Sequence, residues 1–373
     1  MAERCRPDDR RAIARCPREG RRMTPAISVV MAAYNGATLV GETIASLRAQ
    51  SFADWELIVV DDKSTDDTLV VLRAIQDPRI TVIASEHNQG PVHARNRAFA
   101  SARGHYIAAL DQDDLCAPDR FARQAAFLDA NPAVALVASA ALVLEDGRTD
   151  PWPGERHLSP AMIDWLLLTQ NPLVWSTTMF RTDAARRLTP FTRPELRYAE
   201  DFDLYSRIRA FGTLARLDEP LLEYRCHSGG ASKKYRDMME ASAARVLAGR
   251  YAPVFGTDAQ ANATLVAHHL MGREPIPDLQ TFGRLSRILG KLHTHFIETT
   301  PLDAQARIEV DGEYARLWWM LARPALRQGH ISLRDILSAR PNIVPLDATG
   351  SDLVVSPLIG TARAFVRSFG GWR

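Results

Sequence analysis

The sequence has few cysteines, almost no net charge and no long apolar run. Its 373 residues include only four cysteines, at positions 5, 16, 116 and 226, and none of them forms a CxxC pair. This spacing argues against a zinc site and a dense disulfide framework, so the thiols fit a reducing cytoplasm. The formal net charge is +2, from 46 basic and 44 acidic residues, which gives no reason to expect a nucleic acid as a partner.

Membrane-spanning and export signals are also missing. No uninterrupted apolar run reaches about 18 residues, and the N-terminus lacks the apolar region of a secretory signal. We therefore expect a cytoplasmic protein, with peripheral contact at the inner face of the membrane left open. Two phosphate-binding signatures, GxxxxGK followed by Ser or Thr and GxGxxG after a strand, are absent as well. A bound nucleotide would then need a metal ion and basic side chains to hold its phosphates.

The chain begins with a basic segment and then changes to a globular pattern. Residues 1–22 contain eight arginines and almost no large apolar side chains, so they cannot bury enough surface to offset the entropy lost on ordering. We predict a disordered basic arm over residues 1–24. With 46% hydrophobic residues overall, the rest of the chain is long enough for two domains or one enlarged domain.

From Ile27 onwards, short apolar runs alternate with segments of helical periodicity. The runs ISVVMA, WELIVV, ITVIAS and HYIAAL are typical of buried strands. Between them, TLVGETIASLRAQ, the segment after STDDT and residues 91–103 have helical spacing, and Ser64 is predicted to cap the second of these helices through a capping box with Asp67. This order predicts a parallel sheet that is covered by helices on both faces.

The second half of the chain is predicted to be mixed at first and helical afterwards. RFARQAAFLDANP and AMIDWLLLT have helical patterns, and VALVASAALVLE is predicted to form one or two strands. From about residue 238 the pattern is mostly helical, most strongly in EYARLWWMLARPALR. We predict an α/β domain over residues 25–237, divided into a nucleotide-binding half at 25–118 and an acceptor half at 119–237, and a mainly helical region at 238–373.

Polar side chains follow three of the predicted strands at the point where each strand ends. Ligands gather at the carboxyl ends of strands in open α/β sheets, so we expect these side chains to meet at one edge. So many carboxylates repel one another unless a cation binds, and hard divalent ions take oxygen ligands that are often shared with substrate phosphates. The sequence therefore predicts Mg²⁺ or Mn²⁺ with a diphosphate. The residues concerned are Tyr34, Asn35, Asp61, Asp62, Asp111, Asp113 and Asp114.

Each of these carboxylates also has a structural interpretation. Asp61 and Asp62 suit turn and helix-cap chemistry, and Asp62 is favoured over Asp61 as a functional residue. Asp113 directly follows a buried strand, and Pro118 indicates that no cap is needed until later, so a functional role is favoured there. Asp114 is expected to support the other carboxylates or to cap the turn before Pro118.

Six segments in the same order carry a resemblance to a known family. They are ISVVMAAYNG, LIVVDDKSTDDT, NQGPVHARNRA, GHYIAALDQDD, AEDFDLYSRI and EYRCHSGGAS. Together they closely resemble the family 2 glycosyltransferases with a GT-A fold, over about residues 26–235. The resemblance implies a Rossmann-like, mostly parallel sheet flanked by helices, with a helical C-terminal extension here. It also implies a UDP-, GDP- or TDP-sugar donor, Mn²⁺ or Mg²⁺ at a DxD motif, and inverting transfer to a hydroxyl of a glycan, lipid-linked or protein acceptor.

The resemblance implies roles for individual donor-binding residues. Ala32, Ala33 and Tyr34 would line the nucleotide pocket, with Tyr34 near the base, and Asp62 would accept a hydrogen bond from the base edge. Arg95 would approach the base or the diphosphate. The structural alternatives are core packing for Tyr34 and a solvated position on a helix for Arg95.

The DxD segment and a later loop are implied to hold the metal. Asp111 would lie near the ribose and the metal, Gln112 would stand beside it among the donor contacts, and Asp113 would bind the metal directly. His227 belongs to EYRCHSGGAS, a Gly-containing loop suited to closing over the diphosphate. It is a candidate metal or phosphate contact, although a lone histidine is more often structural.

The segment RYAEDFDLYSRI places an acidic cluster in front of a predicted helix. Glu200, Asp201 and Asp203 would in any case favour the positive N-terminus of that helix, by about 0.3 to 1 kcal/mol each. The resemblance assigns Asp201 as the catalytic base, which takes the proton from the acceptor hydroxyl as this hydroxyl attacks the anomeric carbon.

Two other functions share parts of this pattern. A sugar-phosphate nucleotidyltransferase would carry a Gly-rich basic loop near its first strand, but AAYNGATLV contains no basic residue. A non-catalytic nucleotide-sugar-binding relative would be expected to lack Asp113 or Asp201, and both are present. The QxxRW element of processive polysaccharide synthases is absent, so the sequence favours transfer of a single sugar, in the synthesis of a cell-surface glycan or glycoconjugate.

Overall fold

The structure is a computed structural model of the chain, and it describes residues 24–153, 156–227, 234–329, 331–345, 356 and 358–360. The predicted basic arm, apart from residue 24, lies outside the described residues. So does the part of the EYRCHSGGAS loop that follows His227.

Nine strands form one mixed sheet in the described part of the chain. The pairs β3–β2, β2–β1 and β1–β4 are parallel. Strand β8 pairs antiparallel with both β4 and β6, and β6 pairs parallel with β9. The order across the sheet is β3-β2-β1-β4-β8-β6-β9-β5, with β7 paired to β6. The α/β fold is therefore confirmed, with a parallel first half and a mixed second half. The strands are β1 Ile27–Ala33, β2 Trp55–Asp61, β3 Ile80–Ala84, β4 Tyr106–Ala109, β5 Leu115–Cys116, β6 Val134–Glu145, β7 Arg148–Pro151, β8 Met179–Arg181 and β9 Thr213–Cys226.

Helices cover both faces of the sheet and form the described C-terminal part. A π-helix, Ala267–Met271, follows the ninth α-helix. The predicted helical C-terminal region is thus present. The α-helices are α1 Val40–Arg48, α2 Thr68–Ala74, α3 Pro91–Ser101, α4 Arg120–Ala130, α5 Pro160–Leu166, α6 Thr182–Arg186, α7 Glu200–Ile208, α8 Arg236–Phe255, α9 Ala259–Val266, α10 Leu279–Thr299, α11 Ala304–Gln328 and α12 Leu333–Ser338.

Two apolar cores lie on opposite faces of the sheet. On one face, α1 and α4 pack on side chains such as Val29 and Val59. On the other face, Val30 and Val60 belong to a single core that also contains side chains of α3, α5, α7 and the C-terminal helices α8 to α11. Alternate residues of one strand thus face different cores, which explains why the strands are apolar throughout. The C-terminal helices are part of the packing of the sheet itself.

The predicted cap of α2 is wrong. The helix begins after Asp67, whose side chain makes no capping hydrogen bond, and the first N–H, that of Thr68, donates to the carboxylate of Asp66 at 3.0 Å. Instead, the Oγ atom of Ser64 accepts a hydrogen bond of 3.1 Å from the backbone N–H of Asn35, and the side-chain oxygen of Asn35 accepts one of 2.8 Å from the N–H of Thr65. The loop after β1 is therefore tied to the loop after β2. The Ser64 hydroxyl, which the local pattern assigned to a helix cap, thus makes a contact with a distant part of the chain.

None of the helices in the described residues combines the length and the apolar character that crossing a bilayer requires.

Candidate active site

The site lies at the edge of the sheet where β1, β2 and β4 end. β1 lies between the other two strands, with Ala33 opposite Asp61 of β2 and Val30 opposite Ala109 of β4. The turn after β1, the turn after β2 and the DxD turn after β4 therefore meet at one edge, as the sequence predicted.

The predicted nucleotide pocket begins at the end of β1. Ala33 is buried, Ala32 is half-buried, and Tyr34 is 44% exposed, so core packing of Tyr34 is excluded. The carboxamide of Gln112 holds the backbone of Tyr34 from both sides: its oxygen accepts from the Tyr34 N–H at 2.9 Å, and its nitrogen donates to the Tyr34 carbonyl at 3.0 Å. Gln112 thus fixes the position of the tyrosine. A donor contact by Gln112 itself stays a prediction.

Both carboxylates at the end of β2 bind backbone N–H groups. The two oxygens of Asp62 accept hydrogen bonds from Gln89 at 3.0 Å and from Gly90 at 2.7 Å, which anchors the loop in front of α3. Asp61 accepts one of 3.2 Å from the N–H of Ser64 in its own turn. The structural interpretation of both residues is therefore observed. The contact of Asp62 with a base edge stays a prediction.

The candidate metal ligands Asp113 and His227 lie side by side. Nε2 of His227 is 2.9 Å from a carboxylate oxygen of Asp113, and both side chains remain partly open to solvent. Burial and the nearby charge of Asp111 raise the pKa of Asp113, and His227 opposes this rise. A cation bound at this turn would therefore favour the ionised form of Asp113.

Asp113 and His227 are far apart in the chain and lie side by side because strand β9, which ends just before His227, is attached to the DxD turn. The short strand β5 follows that turn and pairs antiparallel with β9. The backbone N–H of Arg225 donates to buried Asp114 at 3.0 Å, and the Arg225 guanidinium donates to the carbonyl of Asp113 at 2.9 Å. Asp114 is therefore a supporting residue, one of the two roles expected for it. Burial and the charges of Asp113 and Asp111 raise its pKa well above the usual range.

The residues at the DxD turn fit a divalent ion that a substrate helps to hold. No group of three or more His, Cys, Asp or Glu side chains arranged for a metal occurs among the described residues. Asp113 and His227 supply an oxygen and a nitrogen ligand, and Mg²⁺ and related ions commonly use one or two protein ligands together with water and phosphate oxygens. The chemistry of this pair is therefore compatible with a metal–diphosphate complex.

Arg95 connects the DxD turn to the helix of the predicted base. Its guanidinium lies 2.6 Å from a carboxylate oxygen of Asp111, forms a second ion pair with Glu200 and lies over the ring of Trp175, 4.7 Å from the centroid. The Arg95 side chain is only 11% exposed, so a solvated position is excluded. Burial lowers the pKa of this guanidinium, but Asp111 and Glu200 outweigh burial and raise it.

The predicted base, Asp201, is half-buried in the first turn of α7. One oxygen accepts a hydrogen bond of 2.8 Å from the side chain of Asn171, and the other accepts one of 2.7 Å from the N–H of Phe202. Burial and the charge of Glu200 raise the pKa of Asp201 to about 7, although these hydrogen bonds and Arg95 oppose the rise. A carboxylate with such a pKa accepts a proton efficiently near neutral pH.

Contacts of three residues of the site were not predicted from the sequence. Glu200 lies at the N-terminus of α7 as predicted, but its ion pair with Arg95 was not expected. Trp175 was expected to pack in the core rather than to stack on a sugar, and Asn171 was not assigned to the site. An arginine within the helical segment PVHARNRA was a signal that a carboxylate must lie nearby if that face is buried. No comparable signal marks Asn171 or Trp175, because their neighbours in the site come from distant parts of the chain.

Parts of the chain are similar to known proteins. The family described as "Glycosyl transferase family 2" matches residues 28–189. The succinoglycan biosynthesis protein ExoO of Rhizobium meliloti is 42% identical over 159 residues, which cover 43% of this chain and 44% of the relative. The UDP-Glc:alpha-D-GlcNAc-diphosphoundecaprenol beta-1,3-glucosyltransferase WfaP of Escherichia coli is 37% identical over 103 residues, which cover 28% of this chain and 41% of the relative. The chain thus spans less than half the length of these two relatives.

A solved structure shares the fold over a longer part of the chain. The crystal structure of residues 1–349 of S. aureus TarS matches with a TM-score of 0.52 and 19% identity, and the match covers 93% of each chain. The fold is of the GT-A type, and the family match identifies a glycosyltransferase. Residues 28–189 match glycosyl transferase family 2, the family that the six sequence segments indicated. The nucleotidyltransferase alternative is therefore set aside.

Proposed function

We propose that the protein is a metal-dependent, inverting glycosyltransferase that moves one sugar from a nucleotide-diphospho-sugar to an acceptor hydroxyl. One observation carries this proposal: a half-buried carboxylate with a pKa of about 7, Asp201, is linked through Glu200 and Arg95 to the DxD turn. A base and a turn suited to a divalent cation within one connected network are what a single displacement requires. The nucleophile gains a base, and the bound cation would supply a countercharge to the leaving group.

In this proposal the residues of the chain have separate tasks. Asp201 accepts the proton of the acceptor hydroxyl while the hydroxyl oxygen bonds to the anomeric carbon and the bond to the diphosphate oxygen breaks. The nucleoside diphosphate leaves on the opposite face, which inverts the configuration. Asn171 holds Asp201 in place, and Tyr34, fixed by Gln112, faces the nucleotide. Mg²⁺ or Mn²⁺ held by Asp113 and His227 would neutralise the departing diphosphate.

The donor and acceptor classes are suggested by the named relative. WfaP is by its name a transferase from UDP-glucose to a lipid-linked sugar, α-D-GlcNAc-diphosphoundecaprenol. We propose a UDP-sugar donor for this chain and a lipid-linked glycan acceptor, which the protein would reach from the cytoplasm at the inner face of the membrane. GDP- and TDP-sugars and protein acceptors are the alternatives that the test below separates.

Ligand-induced stabilisation and turnover test this proposal together. The full chain is heated with UDP-, GDP- and TDP-sugars, with and without Mn²⁺, because a ligand that binds the native state raises its stability by about 2.7 kcal/mol at a concentration of 100 Kd. We expect a Mn²⁺-dependent rise in melting temperature with UDP-sugars. Asp201→Asn should keep this rise and lose about 10²- to 10⁴-fold in turnover, because it removes only the general base.

Variants at the DxD turn supply the complementary test. Asp113→Asn and His227→Ala should lose the Mn²⁺-dependent part of the rise, and Asp237→Asn, at an exposed position on α8, is the matched control that should behave as wild type. A melting temperature that no nucleotide-sugar changes would contradict the proposed donor class. A rise of equal size without Mn²⁺ would contradict the metal assignment of Asp113.

A further inference from the structure

The ion pair between Arg95 and Glu200 joins two parts of the site that lie 105 positions apart in the chain. Arg95 lies in α3, and Glu200 is the first residue of α7, directly before the proposed base. The second arm of the Arg95 guanidinium reaches Asp111 in the DxD turn. One cation therefore touches a carboxylate from each of the two functional segments.

The surroundings hold this cation in one orientation. The side chain of Glu200 is 3% exposed, that of Arg95 is 11% exposed, and Trp175 covers one face of the guanidinium. A buried charge that loses its partner is strongly unfavourable, so the two side chains have little freedom to separate. A planar guanidinium that donates in two directions also fixes the angle between its two partners.

The groups that face Asp201 come from several elements. Glu200 lies on its own helix, Arg95 comes from α3, and Asn171 comes from the segment after α5. The hydroxyl of Tyr205 lies one turn further along α7, and burial followed by the charge of Asp201 raises the pKa of that tyrosine. Asp111 lies beyond Arg95. Of these groups, Glu200 and Arg95 carry opposite charges next to the base.

We propose that Arg95 and Glu200 are positioning residues that act on Asp201 with opposite signs. Glu200 holds the guanidinium in place and adds negative charge next to the base. Arg95 adds positive charge next to the base and fixes the position of the DxD turn relative to α7. This inference rests on the proposed function for its catalytic meaning. It assigns Arg95 a role in the network of the base, in addition to the donor contact that the resemblance implies.

The opposite charges of Arg95 and Glu200 should shift the pKa of Asp201 in opposite directions. A merely structural role of the two residues does not lead to this expectation. Removing the positive charge in Arg95→Gln makes deprotonation of Asp201 harder, so the pKa of Asp201 should rise by about one unit. Removing the negative charge in Glu200→Gln makes deprotonation easier, so the pKa should fall by a similar amount. Both substitutions break the same ion pair, so a loss of packing alone would change both variants in the same direction.

The experiment measures the proton affinity of Asp201 in two independent ways. The first is NMR titration of the carboxyl carbon in protein labelled with ¹³C-aspartate, with Asp201→Asn used to assign the resonance. The second is the acidic limb of the pH profile of kcat/KM for sugar transfer. We expect both midpoints to move up in Arg95→Gln and down in Glu200→Gln. Arg95→Lys keeps the charge and should restore the midpoint, and Arg97→Gln, at an exposed position on the same helix, should leave it unchanged.

Each outcome decides between the possible roles. Shifts of the same sign in both variants, or no shift in either, overturn the proposal. If Arg95→Gln does not fold, Glu200→Gln alone decides, because an unchanged or higher midpoint contradicts the predicted sign. The NMR titration needs no turnover, so opposite shifts in a protein without transferase activity would support this inference while contradicting the proposed function.

Discussion

At the scale of single residues, Asp201 has a conflict between burial and charge. Its carboxylate is half-buried next to Glu200, and the protein provides only an amide, a backbone N–H and the shared charge of Arg95 to stabilise it. A folded protein that holds an ionised group in such a place is less stable than it would be with a neutral one. Functional sites are where conflicts of this kind are retained.

Asp201→Asn should therefore stabilise the protein in a pH-dependent way. Folding raises the pKa of Asp201 from 3.8 to about 7, so the folded state holds the proton more tightly than the unfolded state does. The stability that this proton contributes is fully present below pH 3.8 and is lost as the pH rises through 7. The neutral variant does not undergo this loss. We expect its melting temperature to exceed that of wild type by roughly 1 to 3 °C at pH 8.5, with a smaller difference at pH 4.5, in differential scanning calorimetry. Asp237→Asn is the control. A gain in melting temperature that does not depend on pH would contradict the raised pKa of Asp201.

The sequence revealed some residues of the site and not others. Asp113 was predicted because it directly follows a buried strand, and Asp201 because its segment resembles the family. The burial of Arg95 was not predicted, because its partners Asp111 and Glu200 come from different parts of the chain. The use of Gln112 as a clamp for Tyr34 was missed for the same reason.

At the scale of elements, the position of the DxD turn depends on how closely β4 packs on β1. The loop in front of β4 contains Gly104, whose N–H donates to the Oγ atom of Ser28 at 2.8 Å. A Cβ atom at Gly104 would lie 2.6 Å from the backbone nitrogen of Ser28 and 2.8 Å from the carbonyl carbon of Ile27. Backbone atoms cannot rotate away, so this approach requires glycine.

Gly104→Ala should push the start of β4 away from β1. Overpacking of this kind typically destabilises by about 1 to 3 kcal/mol. We expect a lower urea midpoint with an unchanged m-value, since the loss of stability does not alter the surface exposed on unfolding.

A second glycine supplies the control. Gly312 is exposed within α11, and a Cβ atom there would meet nothing within 4 Å. Gly312→Ala should therefore raise stability by up to about 1 kcal/mol, because alanine is the better helix former. Equal effects of the two substitutions would show that the contact between Gly104 and β1 is unimportant.

At the scale of the whole molecule, the C-terminal helices and the sheet share one core. Trp318 of α11 is fully buried, its indole N–H donates to Ser286 of α10 at 2.9 Å, and both helices belong to the core that contains Val30 and Val60 of the sheet. The helices that follow residue 237 and the sheet therefore share a continuous apolar interior.

This shared core predicts cooperative unfolding of the described helices and the sheet. Trp318→Ala should cost about 3 to 5 kcal/mol, because it leaves a cavity in a core that both parts use. Circular dichroism at far-ultraviolet wavelengths and intrinsic fluorescence should report coincident transitions, with the midpoint lower in the variant. Two separate transitions, with only one shifted by Trp318→Ala, would contradict a single cooperative unit.

Periodicity and strand-end position are local properties, so the sequence by itself determined the alternation of strands and helices, the parallel first half of the sheet and the edge where the candidate site lies. The resemblance to the family came from six short segments, which are also local. Only the tertiary structure decided which charges are buried together. Ser64 binds another loop in place of capping its helix, and Arg95 pairs with Glu200 as well as with Asp111. Ion pairing and pKa depend on distances between residues that are remote in the chain, and folding alone sets those distances.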